Sequence, residues 1–492
     1  MEMTATNLSR RKTHPILLVR SSEGVPRWVS SLESHKLAVG ESNFTCCERN
    51  HEGVFEKCDR GVAKEVLDRM ILKKMKYLFT MNNVNLARLT LSQWSWYLRG
   101  LPGEILQSNE SEVRKALKWD LKYDGPWFDR DGVSILIYSI LSNQVRVVSS
   151  LLKSLDKVDC EEERKRRLVS AVPRKGFVEA GITGKMNALS FAMYMSTPEI
   201  VEMLLDQGFD PMLADSAGNH PFLFACTSNR IDNVKYWLKR FPEWDLELQT
   251  QFNGGVALGA AVYLGPNRLE LVRLLLKAGA KLTALNYLGG SILTAATSNE
   301  DSDPNVVRLL LKLWDNVNLK YRPRTIKWKL IHHVAKISFR VLNTSNGLLR
   351  SLAMDSGATA LHFAAMRGDM EIVELLLSEG ADPSLKNDLG KTAVSMCKSF
   401  PELRGVLEKR KRKTKLHGAT KKTKKVEVLG KRISTATPIQ HEMWLISLES
   451  LLMLYVYLCL VDFSLTLIYL THHTHTGTEK VARVVSWKFI RS

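Results

Sequence analysis

The sequence contains few cysteines and no obvious signal for secretion. Seven cysteines occur in 492 residues, and Cys160, Cys226, Cys397 and Cys459 lie far from one another along the chain. This spacing excludes a disulfide framework and is typical of reduced thiols in a cytosolic or nuclear protein. The apolar run at 15–19 is too short for the hydrophobic region of a secretory signal peptide.

Motifs for common catalytic chemistry are also absent. The sequence has neither of the glycine-rich phosphate-binding loops, G-x-G-x-x-G and G-x-x-x-x-G-K-[ST], and neither H-E-x-x-H nor G-x-S-x-G. Cys46, Cys47, His51 and Cys58 lack the paired spacing of structural zinc sites, so we interpret the three cysteines as free thiols. We interpret the histidine tract at 472–475 as part of an unstructured tail. We therefore predict a protein that is not an enzyme and holds no cofactor or metal.

The positive charge is concentrated in one tract. The formal net charge is +19, and residues 409–432 hold twelve Lys/Arg against one acid, Glu427, which is 12 − 1 = +11. The rest of the chain is only mildly basic by this count. We therefore expect no extended basic stripe and do not expect nucleic acid as a partner.

Residues 357–383 contain a compact helix–turn–helix pattern. Thr359 is placed to cap a short helix that carries Leu361, and the run Ile372 to Leu377 predicts a second helix with a broad apolar face. Gly380 can end that helix in a left-handed conformation, and Asp382-Pro383 begins an extended turn.

The same pattern recurs along the chain. The leucine that opens the first helix falls at Leu189, Leu223, Leu258, Leu293 and Leu361, in steps of 34, 35, 35 and 68 residues. A period near 34 residues indicates stacked helical units, because one helix pair cannot bury its apolar face alone. The double step suggests one degenerate unit at 322–355, which contains His332-His333 as ordinary helix content.

The segment 357–389, with its opening T-x-L-H-x-A, resembles an ankyrin repeat, and the resemblance extends over about 126–408. It implies an all-α solenoid of six to seven helix-pair units that binds a protein partner through its turn tips and inner helices. It also implies that His362 makes a structural hydrogen bond between loops. The predicted domains are a flexible leader (1–60), a helical capping region (61–125), the array (126–408), a basic linker (409–442), a candidate transmembrane helix (443–470) and a tail (471–492).

The turn tips supply the candidate binding residues. They are Asp215, Phe252, Asn253, Asn286, Tyr287, Asn387 and Asp388. Phe252 and Tyr287 are candidate aromatic anchors, since aromatic residues carry much interface energy. The alternative is that these two side chains pack on adjacent loops.

The chain after the array permits several interpretations. The basic tract can be a solvated charged linker, and 443–470 can be an amphipathic or aggregation-prone tail, besides the two interpretations that follow. Lys409, Arg410, Lys411, Arg412, Lys413, Lys421, Lys422, Lys424 and Lys425 resemble a two-part nuclear import signal, which would make the protein a nuclear adaptor. The 28 residues at 443–470 exceed the ~20 that span a bilayer, although Asp462 there costs roughly 2.5–3.5 kcal/mol. We therefore expect a scaffold on the cytosolic face of a membrane, with the basic tract near anionic lipid. The alternative is a cytoplasmic or nuclear protein whose tract meets an import receptor.

Overall fold

A computed structural model describes residues 16–18, 27–29, 59–98, 108–177, 182–263, 268–298, 302–313, 316–340, 347–397 and 400–422. Two three-residue strands, β1 (Ile16–Leu18) and β2 (Arg27–Val29), pair antiparallel within the predicted leader. The expectation of an all-α repeat array is confirmed, and this strand pair lies before the array.

The remaining regular elements of the described residues are helices. In the first part of the chain they are α1 (Asp59–Thr80), α2 (Val84–Ser92), α3 (Trp94–Tyr97), α4 (Glu110–Ala116), α5 (Ile135–Leu141), α6 (Val145–Leu155), α7 (Glu161–Val169), α8 (Ala188–Met195), α9 (Pro198–Asp206), α10 (Pro221–Thr227) and α11 (Ile231–Arg240). They continue as α12 (Ala257–Tyr263), α13 (Leu269–Lys277), α14 (Ile292–Ser298), α15 (Pro304–Leu313), α16 (Ile326–Arg340), α17 (Gly347–Asp355), α18 (Ala360–Arg367), α19 (Met370–Ser378), α20 (Ala393–Met396) and α21 (Pro401–Lys422).

The chain divides into two compact units. The first consists of 1–252, 256–264 and 270–280, and the second of 253–255, 265–269 and 281–492. In the first unit the helices α5, α8, α10 and α12 pack one on the next, and α6, α9 and α11 do the same behind them. Each repeat is therefore a helix pair whose two helices lie in two parallel layers, as expected for a stack.

Polar residues start the first helix of several repeats. The side-chain oxygen of Ser134 accepts a hydrogen bond from the backbone N–H three residues on at 3.2 Å, that of Asn187 at 2.9 Å and that of Ser291 at 3.1 Å. These caps satisfy backbone donors that a helix leaves unpaired at its first turn. The helices that follow these caps are seven or eight residues long, and most of their residues are buried.

The five leucines predicted as a common core are all buried, but one of them is not the equivalent residue. Leu189 follows the cap residue Asn187 by two positions, and Leu361 follows Thr359 by two. In the unit capped by His220 the residue at that position is Phe222, which is fully buried, so the assignment of Leu223 was shifted by one. The ring of Phe222 occupies the leucine position there, and its neighbours Trp237 and Trp244 are aromatic as well.

Those neighbours form an aromatic cluster in the first unit. Trp237 and Trp244 meet edge to face with ring centroids 5.0 Å apart, Phe222 lies 6.0 Å from Trp237, and His220 lies 5.7 Å from Trp244. Burial among these rings lowers the pKa of His220 from 6.5 to about 4. The imidazole is therefore neutral at physiological pH.

A buried arginine fastens the helices before the first repeat. Arg88, on α2, is 1% exposed and contacts the carboxylate of Asp124 at 2.7 Å and that of Asp129 at 3.5 Å. Its guanidinium also donates to the backbone carbonyl of Leu117 at 2.9 Å, and the Tyr138 hydroxyl donates to Asp129 at 2.8 Å. The guanidinium thus joins α2, the residue after α4 and the carboxylates of Asp124 and Asp129 in one hydrogen-bonded group.

In the second unit, α14 packs directly on α18 and α15 on α19, while α16 and α17 pack chiefly on each other. The prediction that 322–355 is a degenerate unit within the stack is therefore wrong in its placement. This segment is helical, as predicted, but its two helices form a hairpin inserted between two consecutive members of the stack.

The insertion lies in a turn between repeats. The N–H of Tyr321 donates to the carbonyl of Ala358 at 2.7 Å and that of Gly357 to the carbonyl of Tyr321 at 2.8 Å. The same two bonds join Asn286 to Gly290 and Gly289 to Asn286 in the preceding turn. Ala358 lies 37 positions after Tyr321, whereas Gly290 lies four after Asn286, so the turn carries 33 additional residues. An insertion of about one repeat length produced the double step in the leucine spacing.

Two predicted segments lie outside the described residues. They are the candidate transmembrane segment 443–470 and the tail that follows it. Among the helices that the structure describes, none combines the length and the apolar character needed to cross a membrane.

Candidate partner-binding surface

Four turns between repeats share one hydrogen-bonding pattern. Each begins with Asp129, Asp215, Asn286 or Asn387, and a glycine with positive φ follows three residues later. The side-chain oxygen of the first residue accepts a hydrogen bond from the backbone N–H four residues on, at 2.8–2.9 Å. Asp and Asn suit this position because their short side chains reach the backbone of the same turn.

This pattern corrects two of the candidate binding residues. Asp215 is 6% exposed and Asn387 is 5% exposed. Asp215 accepts from the hydroxyl of Thr183 at 2.7 Å, and Asn387 donates to the carbonyl of Met354 at 2.8 Å. Their side chains point into the turn, so the prediction that they contact a partner is wrong. Burial raises the pKa of Asp215, although its hydrogen bonds oppose that shift.

Asn286, half-buried, has the same internal role through its bond to the Gly290 N–H. The three other candidates nearby are also half-buried: Phe252, Asn253 and Tyr287. The ring of Tyr287 lies against Gly254, where a Cβ atom would overlap it, and its N–H donates to the carbonyl of Asn253 at 2.7 Å. For Tyr287 the structure thus shows the alternative interpretation, packing on the adjacent turn. A partner contact by the exposed part of these side chains stays a prediction.

Neighbouring turns in the first unit are joined by backbone hydrogen bonds. The N–H of Ser216 donates to the carbonyl of Gly184 at 2.8 Å, and that of Phe252 donates to the carbonyl of Ala217 at 3.2 Å. Lys185, Ser216 and Gln251 are exposed at these turns. We call these three residues the turn edge. Because its backbone is bonded from one turn to the next, the turn edge is held in a fixed geometry.

His362 joins two turns of the second unit. Its Nδ1 lies 2.9 Å from the Thr359 hydroxyl and 3.2 Å from the Thr359 backbone nitrogen, and its Nε2 lies 3.2 Å from the carbonyl of Lys391 in the next turn. Burial lowers the pKa of His362 below its usual value. The predicted structural role of this histidine between loops is confirmed.

The family comparison matches this part of the chain. The sequence profile described as Ankyrin repeat matches residues 356–388, which include the capping residue Thr359, His362 and the helix pair α18–α19. The chain is an ankyrin-repeat protein.

Several known proteins resemble this ankyrin-repeat chain in part. The mouse B-cell lymphoma 3 protein homolog is 26% identical over 273 residues, which are 55% of this chain and 49% of that protein. The bovine mitochondrial disaggregase is 33% identical over 132 residues, 26% of this chain and 19% of that protein. The chain thus spans about half of the first relative and a fifth of the second. The crystal structure of the ankyrin repeat domain of Bcl-3 superposes with a TM-score of 0.38 at 24% identity, covering 56% of this chain and 99% of that one.

The inserted hairpin contacts the last candidate tip, Asp388. Lys336 of α16 lies 3.2 Å from the Asp388 carboxylate, which also accepts from the Ser356 hydroxyl at 2.7 Å, and Arg340 donates to the Asp388 carbonyl at 2.6 Å. Desolvation raises the pKa of Asp388, but these hydrogen bonds and the nearby cations outweigh it and lower the pKa overall. Asp388 is therefore already bonded to the inserted hairpin of the same chain.

The same hairpin carries a basic surface that the sequence analysis missed. Residues 316–340 contain seven Lys/Arg and no Asp or Glu. Arg322, Arg324 and Lys329 are exposed around the start of α16, and we call these three residues the hairpin basic surface. A count of charges in each segment would have revealed this basic surface. The sequence analysis instead treated 322–355 as one repeat of the stack, in which such a cluster of exposed cations is not expected.

The C-terminal basic tract begins as a helix. α21 follows α20 in the last repeat and extends to Lys422, so Arg412, Lys413, Lys421 and Lys422 continue a repeat helix, and the predicted linker boundary at 409 is wrong. Lys409 and Arg410 are exposed and Lys411 is half-buried, and Arg410 donates to the carbonyl of Leu377 at 3.0 Å. Lys424 and Lys425 lie outside the described residues.

Groups that could hold a metal ion are not found among the described residues. The cysteine and histidine candidates at 46–58 and the histidine tract at 472–475 lie outside them. The three described cysteines, Cys160, Cys226 and Cys397, are free thiols.

Proposed function

We propose that this chain is a non-catalytic adaptor that binds a protein partner across the turn edge of its first unit. Ankyrin repeats bind other proteins. The observation that supports this site is the run of hydrogen bonds between successive turns, which leaves Lys185, Ser216 and Gln251 exposed on connected backbone. A surface that is ordered before binding loses little conformational entropy when a partner arrives.

We propose that only some of the predicted turn residues contact the partner. Asp215 and Asn387 are internal to their turns, and Asp388 is engaged by the hairpin. Phe252 and Asn253 remain candidates through their exposed fractions. We therefore expect the partner to contact the outward side chains of Lys185, Ser216 and Gln251, rather than the buried Asp or Asn of a turn.

Photo-cross-linking tests the proposal. A photoreactive residue would replace Lys185, Ser216 or Gln251 in the full chain expressed in cells, and Glu202 on the exposed side of α9 is the control. We expect the three turn positions to yield the same cross-linked protein and Glu202 to yield none of it. Cross-links of equal yield from Glu202, or different products from the three turn positions, would contradict the proposal.

A second candidate function follows from the basic tract at 409–432. Its exposed Lys409 and Arg410 lie on α21, and twelve cations in 24 residues resemble an import signal, which favours a nuclear adaptor. A fluorescent protein fused to the tract tests this candidate, with a fusion carrying Gln at the twelve positions as control. A reporter that stays in the cytosol would exclude it.

Tethering by 443–470 is a separate part of the proposal. It is supported by the length and apolar character of that segment alone. Alkaline carbonate extraction of membranes tests it: a tethered chain stays in the pellet, whereas a variant lacking 443–470 is released. Release of both would remove membrane attachment from the proposal.

A further inference from the structure

The hairpin basic surface is not neutralised by the chain. Among the described residues, the ion pair of the α16 region joins Lys336 to Asp388, and the structure pairs no carboxylate with Arg322, Arg324 or Lys329. The carboxylate of Asp388 is already held by Lys336 and Ser356. The positive charge at the start of the hairpin is therefore available to an outside anion.

This charge lies where a helix tolerates it least. Lys329 is in the first turn of the 15-residue helix α16, which has no acidic residue there. The amino end of a helix carries a partial positive charge, so a cation there is disfavoured. Repulsion among the three cations adds to this cost. A bound anionic group would relieve both effects.

An apolar side chain lies among these cations. Ile326, the first residue of α16, is 85% exposed between Arg324 and Lys327 in sequence. The aromatic residues of the segment are turned inward: Trp328 is 5% exposed, and the ring of Tyr321 contacts those of His332 and Phe363 at about 6 Å. The surface thus offers cations and one aliphatic contact.

We propose that the hairpin basic surface binds an acidic segment of a partner protein that also presents an apolar side chain to Ile326. This inference rests on the proposed protein-binding function and names the chemistry of a second contact. Carboxylates pair with Arg322 and Arg324, and the aliphatic contact excludes water beside them. Single-stranded nucleic acid fits less well, because its bases stack on exposed aromatic rings, and Tyr321 and Trp328 pack inward.

The test measures binding of three labelled probes to the full chain by fluorescence anisotropy. The probes are a glutamate peptide interrupted by leucines, the same peptide with serine for leucine, and a single-stranded DNA of equal net charge. We expect the leucine peptide to bind most tightly. Reversing all three cations (Arg322→Glu, Arg324→Glu and Lys329→Glu) should weaken its binding by about tenfold or more, since several exposed pairs are lost together.

Two further variants separate the contributions. The matched control reverses Lys115, Lys153 and Lys157, which are exposed on the first unit and change the net charge equally; we expect less than about a twofold effect, because these residues are not part of the hairpin basic surface. Ile326→Ser should reduce the preference for leucine over serine. Circular dichroism of each variant checks that it is folded.

Three results would overturn the inference: DNA binding as tightly as the leucine peptide with no effect of Ile326→Ser, equal losses in the control variant, or no loss on reversing the hairpin cations. None of these results changes the cross-links that we expect from Lys185, Ser216 and Gln251. If those cross-links persist while the peptide test fails, only this inference is lost. If the cross-links fail as well, the proposed function itself is at fault.

Discussion

Removal of the inserted hairpin tests the central structural conclusion, that 322–355 lies outside the stack. Deleting residues 322–354 joins Tyr321 to Asp355 and restores a turn of ordinary length, Tyr321-Asp355-Ser356-Gly357-Ala358. The two hydrogen bonds between Tyr321 and 357–358 can still form in this shorter turn. The direct packing of α14 on α18 and of α15 on α19 stays in place.

The expected cost is small. The deletion removes 23 helical residues, all 15 of α16 and the first 8 of α17. Asp388 loses its ion pair with Lys336, which is worth about 0–1 kcal/mol at a partly exposed site. The ring of Tyr321 loses its contact with His332, and uncovering part of such a side chain costs about 1–2 kcal/mol. We therefore expect the free energy of unfolding to fall by about 1–3 kcal/mol.

A thermodynamic cycle makes the test decisive. Leu361→Ala, in buried α18, should cost about 2–5 kcal/mol, and urea unfolding would measure it in the full chain and in the deletion. Because α18 packs on α14 in both, the two costs should agree within about 0.5 kcal/mol. Costs that differ by more than about 1 kcal/mol, or a deletion that loses cooperative unfolding, would refute the inserted-hairpin interpretation.

Three further predictions concern stability, each followed by urea unfolding. Arg88→Met should lower the free energy of unfolding by about 3–5 kcal/mol, because it leaves two buried carboxylates unpaired; a loss under about 1 kcal/mol would show that solvent reaches them. With the pKa of His220 lowered to about 4, the unfolded chain binds a proton between pH 4 and 6.5 that the folded chain does not. Stability should therefore be complete above pH 6.5 and fall by up to about 3 kcal/mol as the pH decreases to 4; His220→Asn should reduce this slope, and an unchanged slope would argue against it. Gly289→Ala would place a Cβ against the Arg322 carbonyl, whereas Gly390→Ala meets nothing within 4 Å. Both pay roughly 1–2 kcal/mol for positive φ, so Gly289→Ala should cost clearly more, and equal costs would contradict the close approach.

Much of the repeat architecture followed from local patterns. The capping Thr359, the apolar run ending at Leu377 and the helix-ending Gly380 act within a few residues, so their spacing predicts the helix pair directly. The candidate site was harder to predict. Asp and Asn are common both in exposed tips and inside turns, and only their hydrogen bonds to the turn backbone showed that Asp215 and Asn387 are internal.

The amino-acid sequence by itself determined that helix pairs recur near every 34 residues, because burial of one apolar face and closure of one turn need only neighbouring residues. The tertiary structure alone decided which helices stack on which, since a 33-residue insertion and a repeat have the same length in sequence. It also decided which charges remain exposed: Lys336 meets Asp388 across 52 positions, whereas Arg322 and Arg324 pair with no described carboxylate. Such contacts depend on the path of the chain between distant residues, which no local pattern contains.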